Sequence, residues 1–189
     1  NDKVLEDTDL LYTGMRELAA DFWDQYGQDI ESRKRDGRTL YRLTGPLCTE
    51  LLVNQYLFQE EGSSLHAIVR AISGASAEIE TLTDYTHPKN NVWGITARNR
   101  EQNFALNLLM NPEIDFVTLL GQAGTGKTLL TLAAGLTQVL ESKCYSEIIM
   151  TRVTVPVGED IGFLPGTEEE KMGPWMGALE DNLEVLNKS

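Results

Sequence analysis

Cysteine is scarce in this 189-residue chain, which contains only Cys48 and Cys144. The two lie far apart, with no C-x-x-C spacing and no histidine close to either of them. This pattern argues against a disulfide framework and against a metal site, and it is typical of free thiols in a reducing compartment. We therefore expect a cytoplasmic protein.

Long apolar runs and positive charge are also lacking. No apolar stretch approaches the ~20 residues that a membrane-spanning helix needs, and the longest candidate, residues 116–140, is interrupted by a glycine-rich loop. The 16 Lys and Arg residues are outnumbered by 29 Asp and Glu residues, which gives a net charge of -13. Nucleic-acid affinity comes mainly from Lys and Arg on phosphates, so this balance opposes non-specific RNA or DNA binding. The composition predicts a soluble, globular protein without a membrane partner.

The first half of the chain, residues 1–90, predicts a helix followed by a small β-rich module. Residues 14–26 carry apolar side chains at helical spacing. Between residues 39 and 84, short runs rich in Val, Ile, Tyr and Thr alternate with turn signals, which is typical of an antiparallel meander. A basic cluster at residues 33–42 is either an RNA contact or a solvated hairpin, and the pattern favours the hairpin.

The second half, residues 91–189, predicts an α/β domain. Helices are expected over residues 99–110 and 127–140, and buried strands over residues 116–120 and 147–151. Helices that alternate with apolar strands favour a parallel sheet covered on both faces. A capping box that begins at Thr167 predicts a further helix near the end of the chain.

One segment fits the phosphate-binding pattern G-x-x-x-x-G-K-[ST] of a P-loop. A chain of this length matches the pattern by accident in under about 1% of cases. Glycines let backbone N–H groups converge on phosphate oxygens. Lys127 is expected to reach the β- and γ-phosphates, and the Thr128 hydroxyl to bind Mg²⁺, so these two residues carry the expected catalytic roles. The expected nucleotide contacts are Gly121, Gln122, Ala123, Gly124, Thr125, Gly126, Lys127, Thr128 and Leu129.

A P-loop does not select a base. The chain has no Asn-Lys-x-Asp guanine signature, which disfavours a GTPase. Gln102 lies about twenty residues before the P-loop, and its carboxamide can pair with both N6 and N7 of adenine. The alternative is structural, because Asn99 and Gln102 also have the spacing of a helix capping box. The pattern alone leaves both interpretations open.

Together with Gln102 and the P-loop, the segment from Thr151 to Trp175 resembles the PhoH family of ATPases. It includes Arg152, the run V-P-V-G-E-D-I-G-F-L-P-G and the run K-M-G-P-W. The chain is most similar to PIN–PhoH fusion proteins, in which a PIN-type ribonuclease domain precedes the ATPase. Residues 92–189 resemble the front of the PhoH domain, and residues 1–90 resemble the joining segment. We therefore expect a piece of a longer protein whose nuclease carboxylates precede residue 1.

The resemblance implies a RecA-like P-loop fold, with ATP and Mg²⁺ as cofactors. It also implies RNA-dependent, helicase-like ATP hydrolysis by a ring-shaped homo-oligomer such as a hexamer. Gln102 takes the adenine role, and Arg152 takes a nucleic-acid contact that competes with a plain surface arginine. The Walker B carboxylate is expected beyond Ser189, so this chain should bind ATP but hydrolyse it poorly alone. The alternative function is a nucleotide-gated oligomerisation module that binds ATP without turnover.

Overall fold

The computed structural model describes residues 12–27, 30–61, 64–151 and 168–187. The chain divides into two compact units, residues 1–83 and residues 84–189. Together they form a mixed α/β protein, in which the first unit carries a six-stranded sheet and the second carries the longer helices. None of the helices within the described ranges is long and apolar enough to cross a membrane.

The sheet of the first unit has the strand order β1-β4-β5-β6-β3-β2. The pair β1–β4 is parallel and the other four pairs are antiparallel. Residues Asp36 and Gly37 join β2 to β3 and both have positive φ angles, 50° and 78°, which is the conformation that a tight hairpin turn requires. The strands are β1 Met15–Glu17, β2 Glu31–Arg35, β3 Arg38–Thr44, β4 Tyr56–Phe58, β5 His66–Ser73 and β6 Ser76–Thr81.

One face of this sheet carries the core of the first unit. Alternate residues along a strand point to opposite faces, and the inward positions Leu43, Leu57, Val69 and Ile79 have no exposed surface. A short helix, α1 (Phe22–Tyr26), packs Phe22 into the same cluster. The predicted short strands are therefore present, and the helix packs on their hydrophobic face, but their order is not that of a simple antiparallel meander because β3 pairs with β6 rather than with β4.

The helix predicted over residues 14–26 is wrong in its first half. Residues Met15–Glu17 form strand β1, and only Phe22–Tyr26 is helical. The reason is tertiary pairing: the Tyr56 amide donates to the Gly14 carbonyl at 2.9 Å, and the Leu18 amide donates to the Phe58 carbonyl at 2.7 Å. Hydrogen bonding to β4 therefore stabilises the extended conformation of residues 15–17, although the apolar side chains of residues 14–26 have helical spacing.

The second unit is built from helices α2 (Arg100–Leu109), α3 (Lys127–Leu136) and α4 (Glu168–Asn187). The predictions of helices over residues 99–110 and 127–140 are confirmed, although residues Thr137–Glu141 continue α3 as a π-helical turn. The helices share a cluster of buried apolar side chains. Its most buried members are Val92, Leu106, Ala133, Ala134 and Leu186.

The two strands predicted in the second unit are absent from the structure as described. Residues 115–121 and 147–151 lie outside any hydrogen-bonded ladder, and the side chains of Phe116, Leu120 and Ile149 are 85%, 92% and 78% exposed. An extended segment becomes a strand only when a neighbour accepts its backbone hydrogen bonds, and the described residues supply no such neighbour. The expected parallel sheet with buried strands is therefore not formed by these two segments in the described part of the chain.

Candidate functional site

The P-loop spans residues 121–128 and leads directly into helix α3. Gly124 and Gly126 have φ angles of 80° and 87°, which lie in the left-handed region that side chains with a Cβ rarely adopt. Gly126 is the N-cap of α3. The two glycines therefore allow the backbone of the loop to change direction before helix α3 begins.

The first turn of α3 leaves backbone donors at the loop. The first bond of the helical ladder runs from the Leu130 amide to the Gly126 carbonyl at 2.9 Å. The amides of Lys127, Thr128 and Leu129 precede that ladder, and such amides are the usual anion donors at a helix N-terminus. The Leu129 side chain packs against the hydrophobic cluster of the second unit, so this residue offers the loop only its main chain.

Lys127 is held by the loop from which it arises. Its Nζ donates to the carbonyls of Gly121 at 2.7 Å and Gln122 at 2.6 Å, and to Thr125 Oγ1 at 3.2 Å. An ammonium group has three donors, and three acceptors of the loop contact it. The side chain is therefore folded over the loop at the place where the sequence predicts a phosphate-binding cation.

Gln102 connects helix α2 to the P-loop. Its Nε2 donates to the Thr125 carbonyl at 3.1 Å, and its Oε1 accepts from the Arg98 amide at 2.8 Å. Its own backbone amide donates to Asn99 Oδ1 at 2.9 Å, which caps the helix. Gln102 therefore takes part in capping α2, but not as a standard capping box. Its side-chain oxygen accepts from the amide of Arg98, whereas a capping box would have it accept from the amide of Asn99. Sequence spacing gave no sign of the contact with Thr125.

The other predicted site residues are placed as follows. Ala123 and Gln122 are exposed on the loop, and Thr128 is exposed in the first turn of α3. The hydroxyl oxygen of Thr128 is an oxygen ligand of the kind that Mg²⁺ prefers. Arg152, the predicted nucleic-acid contact, lies outside the described residues. Within the described ranges, no group of three or more His, Cys, Asp or Glu side chains is arranged to hold a metal ion.

The basic cluster of residues 33–42 forms the exposed hairpin of β2 and β3. Arg33 pairs with Glu78 at 3.7 Å, and Arg38 pairs with Glu80 at 3.9 Å. These acids lie on the neighbouring strand β6 and offset part of the positive charge. The hairpin is therefore the better description of this cluster.

Comparisons with known proteins identify the family of the second half of the chain. The family described as "PhoH-like protein" matches residues 94–189, the part of the chain that includes Gln102 and the P-loop. Protein PhoH2 of Bacillus subtilis (strain 168) is 54% identical over 95 residues, which are 50% of this chain and 22% of that protein. Protein PhoH2 of Mycolicibacterium smegmatis is 34% identical over 177 residues, which are 89% of this chain and 40% of that protein.

A third relative, protein PhoH2 of Thermobispora bispora, is 50% identical over 93 residues, which are 49% of this chain and 21% of that protein. The chain thus spans less than half of the length of each of these relatives. No solved structure matches it.

Proposed function

Since the chain belongs to the PhoH family, a family of P-loop ATPase-type proteins, we propose that its second unit binds ATP and Mg²⁺ at residues 121–128. The observation that carries the proposal is the hydrogen bond of 3.1 Å between Gln102 Nε2 and the Thr125 carbonyl. This bond joins the predicted base-recognition residue to the predicted phosphate loop, although Gln102 and Thr125 are 23 positions apart in the sequence. A nucleotide carries its base and its phosphates on one molecule, and this contact supports a single site that binds both.

The carboxamide of Gln102 retains the capacity to recognise adenine. A carboxamide has two acceptor lone pairs and two N–H donors. Contacts with Arg98 and Thr125 use one of each, and one acceptor and one donor remain. Adenine presents the complementary pair, the N6 donor and the N7 acceptor. Gln102 therefore performs its structural role and its base-recognition role together, and the two interpretations of the sequence pattern are compatible.

The phosphates bind at the helix end of the loop. The amides of the first turn of α3 donate to phosphate oxygens, and the positive end of the helix dipole favours the anion. Lys127 exchanges part of its contacts with the loop carbonyls for a phosphate oxygen. The Thr128 hydroxyl would hold Mg²⁺, which would neutralise charge at the phosphates.

The wider activity belongs to the intact protein and is also a proposal. We infer a RecA-like ATPase domain that couples ATP hydrolysis to RNA remodelling in a cytoplasmic ring-shaped homo-oligomer. Arg152 is the proposed RNA contact, and a PIN-type ribonuclease domain is proposed to precede residue 1. Family membership supports the ATPase, and the 177-residue match to the Mycolicibacterium smegmatis protein supports a joining segment next to the PhoH domain.

The experiment that tests ATP binding is titration calorimetry of this chain with Mg-ATP, Mg-GTP and adenosine. We expect ATP to bind more tightly than GTP, and Lys127→Ala to weaken ATP binding at least tenfold while leaving adenosine binding unchanged. Arg42→Ala, an exposed cation of the first unit, is the matched control. Equal ATP affinity in the Lys127→Ala variant and the unsubstituted chain would contradict the proposal.

A second candidate function is nucleotide-gated assembly without turnover. The exposed apolar side chains of Phe116, Leu120 and Ile149 favour it, since apolar surface of this kind marks interaction sites. Light scattering with and without Mg-ATP tests this second candidate. A mass that does not change with nucleotide would remove this candidate.

A further inference from the structure

We propose that Thr125 is a positioning residue, whose hydroxyl sets the location of the Lys127 ammonium for phosphate binding. This inference rests on the proposed ATP site. The pattern G-x-x-x-x-G-K-[ST] accepts any residue at position 125, so the motif itself assigns this side chain no function. The role follows from the hydrogen bonds that the threonine makes.

The polarity of the hydroxyl is fixed by its neighbours. Thr125 Oγ1 donates its single proton to the Gln122 carbonyl at 2.9 Å. Its lone pairs are then left to accept, and the Lys127 ammonium donates to it at 3.2 Å. A hydroxyl in this arrangement is an oriented acceptor for a cation.

The backbone of Thr125 is held independently of its side chain. Gln102 Nε2 donates to the Thr125 carbonyl at 3.1 Å, and the next residue, Gly126, caps helix α3. The peptide is therefore tied to α2 on one side and to α3 on the other. This restraint keeps the hydroxyl directed at Lys127 and reduces the freedom that the loop would lose when a phosphate binds.

The test compares variants of this chain by calorimetry with Mg-ATP, Mg-ADP and adenosine. Thr125→Val and Thr125→Ala remove the hydroxyl, and we expect each to weaken ATP binding about tenfold, the usual effect of losing a hydrogen bond to a charged group. Adenosine affinity should not change, because no phosphate is present. Thr125→Ser keeps the hydroxyl and should restore ATP affinity to within about twofold of the unsubstituted chain.

Thr131→Val is the matched control. Thr131 is also an exposed threonine, and its hydroxyl donates to the Lys127 carbonyl at 2.8 Å, so it touches the main chain of the same lysine but not the ammonium. We expect ATP affinity to be unchanged in this variant. Thermal unfolding of all variants shows whether each one folds.

Three results would overturn the inference. The first is an ATP affinity that is unchanged in both Thr125→Val and Thr125→Ala, and the second is a loss of ATP affinity in Thr125→Ser as large as that in Thr125→Val. The third is a loss of adenosine affinity in Thr125→Val or Thr125→Ala that equals the loss of ATP affinity. If Lys127→Ala loses ATP and Thr125→Val does not, the proposed function stands and only the role of Thr125 fails. If the unsubstituted chain binds no ATP, both fail together.

Discussion

Gly124 and Gly126 offer a matched pair of substitutions that isolates the contact between Gln102 and the P-loop. Their φ angles are 80° and 87°, so alanine is strained at both positions. They differ in their surroundings. A Cβ at Gly126 would lie 3.3 Å from Gln102 Nε2, whereas nothing lies within 4 Å of a Cβ at Gly124.

The magnitudes follow from these two observations. A left-handed conformation costs a residue with a Cβ about 1–2 kcal/mol, and this strain should lower the free energy of unfolding by a similar amount in both variants. Only Gly126→Ala also crowds the Gln102 carboxamide, which must shift by a few tenths of an ångström to make room for the added Cβ. A well-made bidentate contact with a base discriminates by about 1–3 kcal/mol, so a displaced Gln102 should reduce the preference for ATP over GTP at least about fivefold.

The assay measures the stability and the ATP:GTP affinity ratio of both variants by thermal unfolding and calorimetry. We expect midpoints lowered by about 2–8 °C in both, with the ratio retained in Gly124→Ala and lost in Gly126→Ala. A ratio retained in both variants would refute the view that Gln102 reads the base from its position at the loop. A ratio lost in both would refute the assignment of the effect to the contact with Gln102.

Three further perturbations test the fold and the surroundings of the site. Asn99→Ala should destabilise the chain by about 1 kcal/mol because the cap of α2 is lost, and Asn99→Ser should retain stability; equal unfolding midpoints for the two would contradict this. Ile79→Ala, at a position with no exposed surface, should cost about 2–5 kcal/mol in urea unfolding, whereas Leu52→Ala, 53% exposed, should cost under about 1 kcal/mol. Burial raises the pKa of the Cys48 thiol above its usual value, so the folded state favours the neutral thiol. The resulting stability is present below the usual thiol pKa and declines as pH rises above it. Native-state alkylation at neutral pH should therefore modify exposed Cys144 and spare Cys48, and modification of Cys48 without denaturant would show that the core is open.

The sequence predicted the helices of the second unit well and its strands poorly. Residues 99–110 and 127–140 carry a cap or a loop glycine followed by apolar side chains at helical spacing, and a helix makes its hydrogen bonds within that same segment. Residues 116–120 have strand composition, but a strand depends on a partner that is remote in sequence. The same dependence explains β1, where pairing with Tyr56–Phe58 replaced the first half of a predicted helix.

The candidate site divides in the same way. The P-loop and the cap at Asn99 could be predicted from the sequence because each is a contiguous run whose residues interact with one another. The hydroxyl contact of Thr125 could not, since the motif leaves that position unspecified. The hydrogen bond of the Gln102 side chain could not be predicted either. Its Oε1 accepts from the amide of Arg98 rather than from that of Asn99, and sequence spacing does not distinguish two adjacent amides.

The sequence by itself determined the glycine-rich loop of residues 121–128, its positive φ angles at Gly124 and Gly126, and the helix that follows, because glycine conformation and helix capping are local properties of the chain. Only the tertiary structure decided which residues meet across long separations. It placed Gln102 against the Thr125 carbonyl and β1 beside β4, since the packing of helices and the pairing of strands select among partners that the sequence pattern leaves equivalent.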